Sequence, residues 1–230
     1  MTNKIRMIIS IIIPVLNEES SIKNLLQQLQ GCRQQGHEVI VVDGGSQDKT
    51  IAVAESLADK VIQSEAGRAN QMNAGVAQAT GDILWFLHAD TVIYENAIND
   101  IKFYLNKKNK GWGRFNVKLS GSHFMFRVIE KMMNLRSCLS SIATGDQGIF
   151  VKRKIFERVG GYPAQLLMED IELSKKLKKI SPYACVKNTI ITSSRRWEQR
   201  GILPTVLLMW RLRFLYWLGV SADKLAGQYR

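Results

Sequence analysis

Four short polar segments carry most of the groups that could do chemistry in this 230-residue chain, and each follows an apolar run. Pro14–Glu18 follows Ile8–Ile13, Asp43–Ser46 follows Val39–Val42, Glu65–Arg68 follows Val61-Ile62, and His88–Asp90 follows Ile83–Leu87. In an open parallel α/β sheet, ligands bind outside the carboxyl ends of the strands, so all four would face one crevice. Asp43, directly after a buried strand, can accept from a base N–H or a ribose hydroxyl, and Gly44-Gly45 lets a ligand approach the backbone. The same Asp-Gly-Gly-Ser run also makes an ordinary turn and helix cap. Asp90 suits a hard divalent ion bridging two phosphates, with His88 on the same side if the strand continues. A further acid pair, Glu169-Asp170, opens a helical stretch, where it either favours the helix dipole or supplies a carboxylate base.

The elements that must position these groups alternate through the first hundred residues. Helical spacing over Ile22, Leu25, Leu26 and Leu29, then over Ile51, Ala54, Leu57 and Ala58, then over Arg68–Ala79 and Ala97–Leu105, separates the four apolar runs. That alternation predicts an α/β domain with a mostly parallel central sheet flanked by helices. The rhythm is lost afterwards. Asn106–Lys110 reads as a basic loop, Gly113–Leu119 as a half-exposed strand, Phe124–Leu139 as a helix, Gly148–Val151 as a strand and Ile171–Leu177 as a helix. The expected division is a catalytic domain over 1–200, with a nucleotide-binding half (1–101) and an acceptor half (102–200), and a C-terminal helical appendage over 201–230.

With 46% hydrophobic residues, 17 Gly and 4 Pro, the composition excludes disorder and collagen-like structure. Charge is unevenly placed. Residues 1–101 carry 7 basic and 12 acidic side chains, and residues 102–230 carry 25 and 8, so halves of −5 and +17 make the net +12. The second half therefore meets something anionic: lipid headgroups, a phosphorylated substrate or nucleic acid. Cys32, Cys138 and Cys185 are odd in number and far apart, which argues against a zinc site or a disulfide framework and for a reducing, cytoplasmic setting. Lys4 and Arg6 precede the first apolar run, but Pro14 ends it without a cleavage site, so it reads as a strand rather than a signal peptide. Ile202–Val220 has the length of a membrane span but contains Pro204, Arg211 and Arg213; each Arg costs about 2.5–3.5 kcal/mol at a bilayer centre. A helix lying on the inner membrane surface, or packed on the domain or on a second copy in a homodimer, fits better.

The motifs form an ordered set. Ile11–Glu19, Val41–Thr50, Gly67–Gly75, Gly81–Thr91, Gly145-Asp146-Gln147-Gly148, Met168-Glu169-Asp170 and Ser193–Trp197 together resemble the family 2 glycosyltransferases over roughly residues 8–200. Trp112-Gly113-Arg114-Phe115 and Arg195-Arg196-Trp197 look like an arsenosugar-biosynthesis-like bacterial subgroup. The resemblance implies the A-type nucleotide-sugar fold and an inverting, metal-dependent transfer of a sugar from a nucleotide-diphosphate sugar, with UDP expected, to a hydroxyl acceptor it does not name; the basic half and the stretch Ile202–Val220 point to a lipid-linked or anionic one. It implies that Pro14, Leu16 and Glu18 flank base and ribose, that Asp43 binds the base edge, and that Arg68 lies near the nucleotide. The family's Asp-x-Asp metal motif reads His88-Ala89-Asp90 here, leaving Asp90 as the direct ligand of Mg²⁺ or Mn²⁺ and His88 in place of the first Asp. Asp170 matches the general base, with Glu169 beside it. Arg195, Arg196 and Trp197 are implied at the diphosphate and sugar, and Asp146 and Gln147 at donor or acceptor hydroxyls.

Two other classes compete. A sugar-phosphate nucleotidyltransferase would carry a Gly-rich basic loop near residue 15, where Leu16-Asn17-Glu18-Glu19 stands instead. A non-catalytic module for nucleotides or anionic membranes would explain the basic half. Nucleic acid is disfavoured, because no recognised module or aromatic–basic interleaving is present.

Overall fold

The computed structural model describes residues 7–229, so Lys4 and Arg6 lie outside the described residues. Seven strands form one sheet: β1 (Ile9–Val15), β2 (Glu38–Asp43), β3 (Lys60–Gln63), β4 (Ile83–Phe86), β5 (Trp112–Leu119), β6 (Phe150–Lys152) and β7 (Tyr183–Thr192). Their order is β3-β2-β1-β4-β6-β5-β7. All pairs are parallel except β4–β6 and β5–β6, so β6 alone runs against its neighbours. This is the α/β architecture expected from the alternation of apolar runs.

The central strands are buried on both faces, which is why they read as unbroken β-branched runs. Ile9, Ile11 and Ile13 face one core with Val39, Val41 and Trp85; Ile12 faces the other with Ile40, Val42, Leu84 and Phe86. Fully burying one such side chain is worth roughly 1.5–3 kcal/mol. The helices are α1 (Glu19–Gln28), α2 (Gln30–Gln34), α3 (Thr50–Glu55), α4 (Arg68–Gln78), α5 (Ala97–Lys102), α6 (Phe124–Ser140), α7 (Arg153–Arg158), α8 (Glu169–Ile180), α9 (Arg195–Arg200), α10 (Ile202–Trp217) and α11 (Ala222–Tyr229). α4 lies so close to the sheet that a Cβ at Gly75 would come within 2.5 Å of Ile12 Cγ2. Only glycine permits that approach.

Several expectations need correction. β7, ten residues long, escapes the periodicity because Lys187, Asn188 and Thr189 are exposed in its middle, where its pairing with β5 shifts register at Phe115/Asn116. α7 and α9 are six-residue helices too short to show a helical period. β5 is mostly buried rather than half-exposed, since β6 and β7 cover both its edges and α6 packs on it. The basic loop at Asn106–Lys110 begins inside a wide helical turn, Phe103–Lys107. Cys138 of α6 and Cys185 of β7 form a disulfide with Cα atoms 5.6 Å apart, against the expectation of unpaired thiols. They are 47 residues apart in sequence, and only the packing of α6 on the β5–β7 edge brings them together. Cys32 is free and buried.

α10 and α11 are not detached from the domain. Leu212 and Leu225 share a buried cluster with Leu167, Met168 and Ile171 at the start of α8. Among the described residues, no helix is long and apolar enough to cross a membrane.

Candidate active site

A cleft of about 810 Å³ opens at the carboxyl ends of β1, β4, β5 and β7. β6 runs the other way and so brings the turn before it, Gly145–Gln147, to the same edge. Of the residues singled out in the sequence, Pro14, Leu16, Glu18, Arg68, His88, Asp90, Asp146, Glu169, Arg195, Arg196 and Trp197 line this cleft. Residues from both halves of the chain thus meet in one place.

Three of the singled-out residues do not line it. Asp43 is wholly buried, and its carboxylate accepts from the amides of Gly45 at 2.8 Å and Ser46 at 3.0 Å. It folds the loop after β2 and lies behind the cleft wall rather than lining it. Gln147 is likewise buried, donating to Ser137 Oγ at 2.9 Å, and serves as a packing strut between α6 and the turn rather than a hydroxyl contact. Asp170 lines a smaller recess that adjoins the cleft, together with Glu169, Arg68, His88 and Asp146.

The first loop is held from several sides. Asn17 takes a left-handed conformation (φ 55°), and its side-chain oxygen accepts from Gln47 N at 2.8 Å. Glu18 meets Arg195 at 3.6 Å, an ion pair that ties the β1 loop to α9. Arg196 stacks over the Tyr229 ring at 4.4 Å, bringing α11 against the same wall. Trp197 packs on the Leu119, Phe126 and Ile129 cluster, so its ring is anchored by core contacts.

The β4 loop and the turn before β6 form the polar floor. His88 Nδ1 lies 3.2 Å from Asp146 Oδ1. A Cβ at Gly145 would come within 2.6 Å of His88 Nε2, so a glycine there makes room for the ring. Burial opposes ionisation of Asp146. The bond from His88, with the charges of His88, Arg68 and Arg213, outweighs it and pulls the Asp146 pKa down to about 2. His88 Nε2, Asp90 Oδ1 and Glu18 Oε2 are buried without a hydrogen-bond partner. Such groups normally find one, which marks the floor as built for a ligand that brings its own polar atoms.

The acid pair begins α8. Met168 precedes it in a left-handed conformation (φ 62°), a costly position for a side-chain-bearing residue, and it aims the first turn of the helix. Asp170 Oδ2 accepts from Gly145 N at 2.7 Å, coupling the pair to the His88–Asp146 turn. Glu169 is buried, and that burial first, then the Asp170 charge, push its pKa up to about 7; Arg68 and His88 oppose the shift. Arg68 itself is held charged against burial by Glu169, Asp146 and Asp170.

The sequence reading missed two residues of this site, Arg136 of α6 and Arg213 of α10, which line the cleft opposite no expected motif. Arg213 had a signal: a basic residue inside the apolar run Ile202–Val220 must either stay in water or find a polar interior.

Comparison with known proteins agrees with this geometry. The family model described as Glycosyl transferase family 2 matches residues 10–160. Beta-monoglucosyldiacylglycerol synthase of Synechocystis sp. is 25% identical over 190 residues, 74% of this chain and 40% of that protein. Poly-beta-1,6-N-acetyl-D-glucosamine synthase of Staphylococcus aureus is 24% identical over 222 residues, 84% of this chain and 52% of that one. The chain therefore spans about half, or less, of the length of these relatives. Among solved structures, S. aureus TarS 1–349 in complex with UDP superposes with a TM-score of 0.67 at 21% identity, over 81% of this chain and 60% of that one. Glucosyl-3-phosphoglycerate synthase from Mycobacterium tuberculosis, in complex with Mn²⁺, UDP and glucosyl-3-phosphoglycerate, gives 0.62 at 18% identity, over 81% and 70%. At these identities the structures establish the shared A-type glycosyltransferase fold. With that family model matching more than half of its length, this chain belongs to glycosyl transferase family 2.

Proposed function

We propose that the protein is an inverting, metal-dependent transferase that moves a hexosyl group from a nucleoside-diphosphate sugar, with uridine as the base, to a hydroxyl acceptor. The observation that carries this reading is the convergence of Asp90, His88 and the Glu169–Asp170 pair on one cleft edge, with unpartnered polar atoms on its floor. The solved relatives that hold UDP support uridine. The Trp112–Phe115 and Arg195–Trp197 motifs support the arsenosugar-biosynthesis-like subgroup, a label that leaves the sugar itself unnamed.

In this reading Pro14, Leu16 and Glu18 flank base and ribose, and Arg68, Arg195, Arg196 and Trp197 steady the diphosphate and sugar. Asp90 and His88 would hold Mg²⁺ or Mn²⁺. Their free atoms fit such an ion, and among the described residues no group of three or more acid, His or Cys side chains is arranged to hold it alone, so diphosphate oxygens and water would complete its shell. When bound, the ion neutralises charge on the departing diphosphate. The Asp146 contact at His88 Nδ1 favours the tautomer that leaves Nε2 as an acceptor. Asp170 takes the proton from the acceptor hydroxyl as that oxygen attacks the anomeric carbon from the face opposite the diphosphate. Glu169, whose pKa burial and the adjacent Asp170 charge push up to about 7, sits beside that base. A thermal-shift screen of nucleoside diphosphates with and without Mn²⁺ tests the reading. UDP with Mn²⁺ should stabilise the protein by RT ln(1 + [L]/Kd), and silence from every nucleotide would contradict it.

We also propose that the protein docks on an anionic bilayer. α6 exposes Phe124, Val128, Met132, Leu135 and Leu139 as one stripe, and α10 exposes Leu203, Leu207, Trp210, Phe214 and Trp217 as another. The sequence places Arg211 and Arg213 on different sides of α10, which reads as a mixed helix. In the fold Arg213 turns into the cleft while Arg211 stays exposed, so the outward stripe remains apolar. Outside the cleft, Lys131 of α6, Arg200 of α9 and Arg211 of α10 are exposed basic side chains on these same helices. They complement anionic headgroups, each basic residue near the surface adding about 1 kcal/mol. A second copy of the chain would instead bring like charges together.

A further inference from the structure

Among the described residues, two guanidinium groups in the cleft make no hydrogen bond or ion pair. Arg136 Nη2 and Arg213 Nε are buried without a hydrogen bond. Among the described residues, no carboxylate forms an ion pair with either one. The two cations also act on each other: burial first, then the charge of Arg213, pull the Arg136 pKa down to about 10. Two repelling, partly desolvated cations are a costly arrangement unless an anion completes it. The other arginines of the cleft are engaged, Arg195 with Glu18, Arg196 with the Tyr229 ring and Arg68 with the charges of Glu169, Asp146 and Asp170. Arg213 reaches both the cleft and the recess that holds Glu169 and Asp170.

We infer that Arg136 and Arg213 form a subsite for a phosphate group carried by the acceptor, beside the Glu169–Asp170 pair. This deepens the transferase reading and rests on it for the role of acceptor, while the anion site itself does not. A phosphate monoester brings a charge of about −1.5 to −2 at neutral pH, which matches two arginines better than a single carboxylate does. Guanidinium groups bind phosphate oxygens in pairs, in a geometry that lysine lacks. The cleft wall around the subsite is apolar and adaptable, with Met132, Met133, Met209 and Trp210. It accommodates an apolar chain attached to the phosphate, and it equally admits a small phosphorylated sugar or polyol.

The test uses the full chain without nucleotide and reads melting temperature as inorganic phosphate is added, at constant ionic strength with sulfate-free chloride buffer. Wild type should be stabilised by phosphate. Arg136→Gln and Arg213→Gln should each melt at or above the wild-type temperature, because an unpaired cation is removed, and each should weaken phosphate binding tenfold or more. Affinity for UDP with Mn²⁺ should change less than twofold in both. Phosphate stabilisation that persists in both variants would overturn the subsite. A parallel tenfold loss of UDP affinity would also overturn it, by assigning the two arginines to the donor diphosphate. Failure of wild type to bind UDP, with phosphate binding intact and arginine-dependent, would sink the transferase reading and leave the anion site standing. Two further ligands identify the source of the phosphate. Dihexanoyl phosphatidic acid binding ten times more tightly than glycerol 3-phosphate, with both lost in the variants, supports a lipid-borne phosphate. Equal binding, again lost in the variants, supports a soluble phosphorylated acceptor.

Discussion

His88 and Asp146 meet at 3.2 Å across the cleft floor, joining the end of β4 to the turn before β6. Their sequence positions are 58 residues apart, and the antiparallel insertion of β6 beside β4 makes them neighbours. The contact holds the His88 ring from one side and leaves its Nε2 without a hydrogen-bond partner at the cleft floor.

The Asp146 shift predicts an acid-side signature. Its folded pKa, about 2, lies below the ordinary value of about 3.9. The stability it contributes is therefore fully present above about pH 4 and is lost as pH falls through about 2. Asp146→Asn should flatten that part of the stability–pH curve measured by urea unfolding. An unchanged slope between pH 4 and 2 would show that the pair carries no folding energy.

Glu169 works the other way. Its folded pKa, raised to about 7, exceeds the ordinary value of about 4.3, so the native state holds the extra proton and stability declines as pH rises between those values. Glu169→Gln should remove that decline and raise Tm at pH 8 by several degrees, the equivalent of about 1–3 kcal/mol. A variant that melts lower than wild type at pH 8 contradicts the assignment.

The metal role of Asp90 rests on its unpartnered Oδ1 at the carboxyl end of β4. Asp90→Ala should leave the fold intact and abolish the Mn²⁺-dependent part of stabilisation by UDP. If the Mn²⁺ increment survives, Asp90 is not a ligand.

How much of this was legible in sequence depends on where each signal lies. Ile9–Val15 and Glu38–Asp43 are buried on both faces, and their apolar runs announced both strands and the cleft edge at their ends. The polar ends Pro14–Glu18 and His88–Asp90 were legible for the same reason. The loop-folding role of Asp43 was not legible, because a carboxylate that accepts from its own loop has the same sequence context as one that does not. β7 was hidden by a polar middle, and the Cys138–Cys185 bond by a sequence separation of 47. Arg136 and Arg213 stand in ordinary helical contexts, and only the packing of α6 and α10 around one cleft joins them. Periodicity reports burial along one element; it is silent about which elements meet.

Membrane docking makes a separate prediction. The protein should co-sediment with vesicles of phosphatidylglycerol and phosphatidylcholine, more with higher anionic content and less with added salt. The double variant Leu139→Glu, Trp217→Glu, which alters two side chains each 78% exposed, should lose at least tenfold in binding with an unchanged melting temperature. Retention in the supernatant at low salt, with a stable dimer by light scattering, would assign the two stripes to a second copy instead.

The central claim is inverting transfer from a nucleotide sugar with Asp170 as base, and proton NMR of the reaction tests it most directly. Incubated with Mn²⁺ and an α-linked UDP-hexose, the protein should release UDP and yield the β-anomer as the first sugar product, by transfer or by slow hydrolysis. Asp170→Asn should bind UDP as wild type does and form that product at least about 10²-fold more slowly. Absence of UDP release from every nucleotide sugar offered, first appearance of the α-anomer, or wild-type turnover in Asp170→Asn would contradict the account.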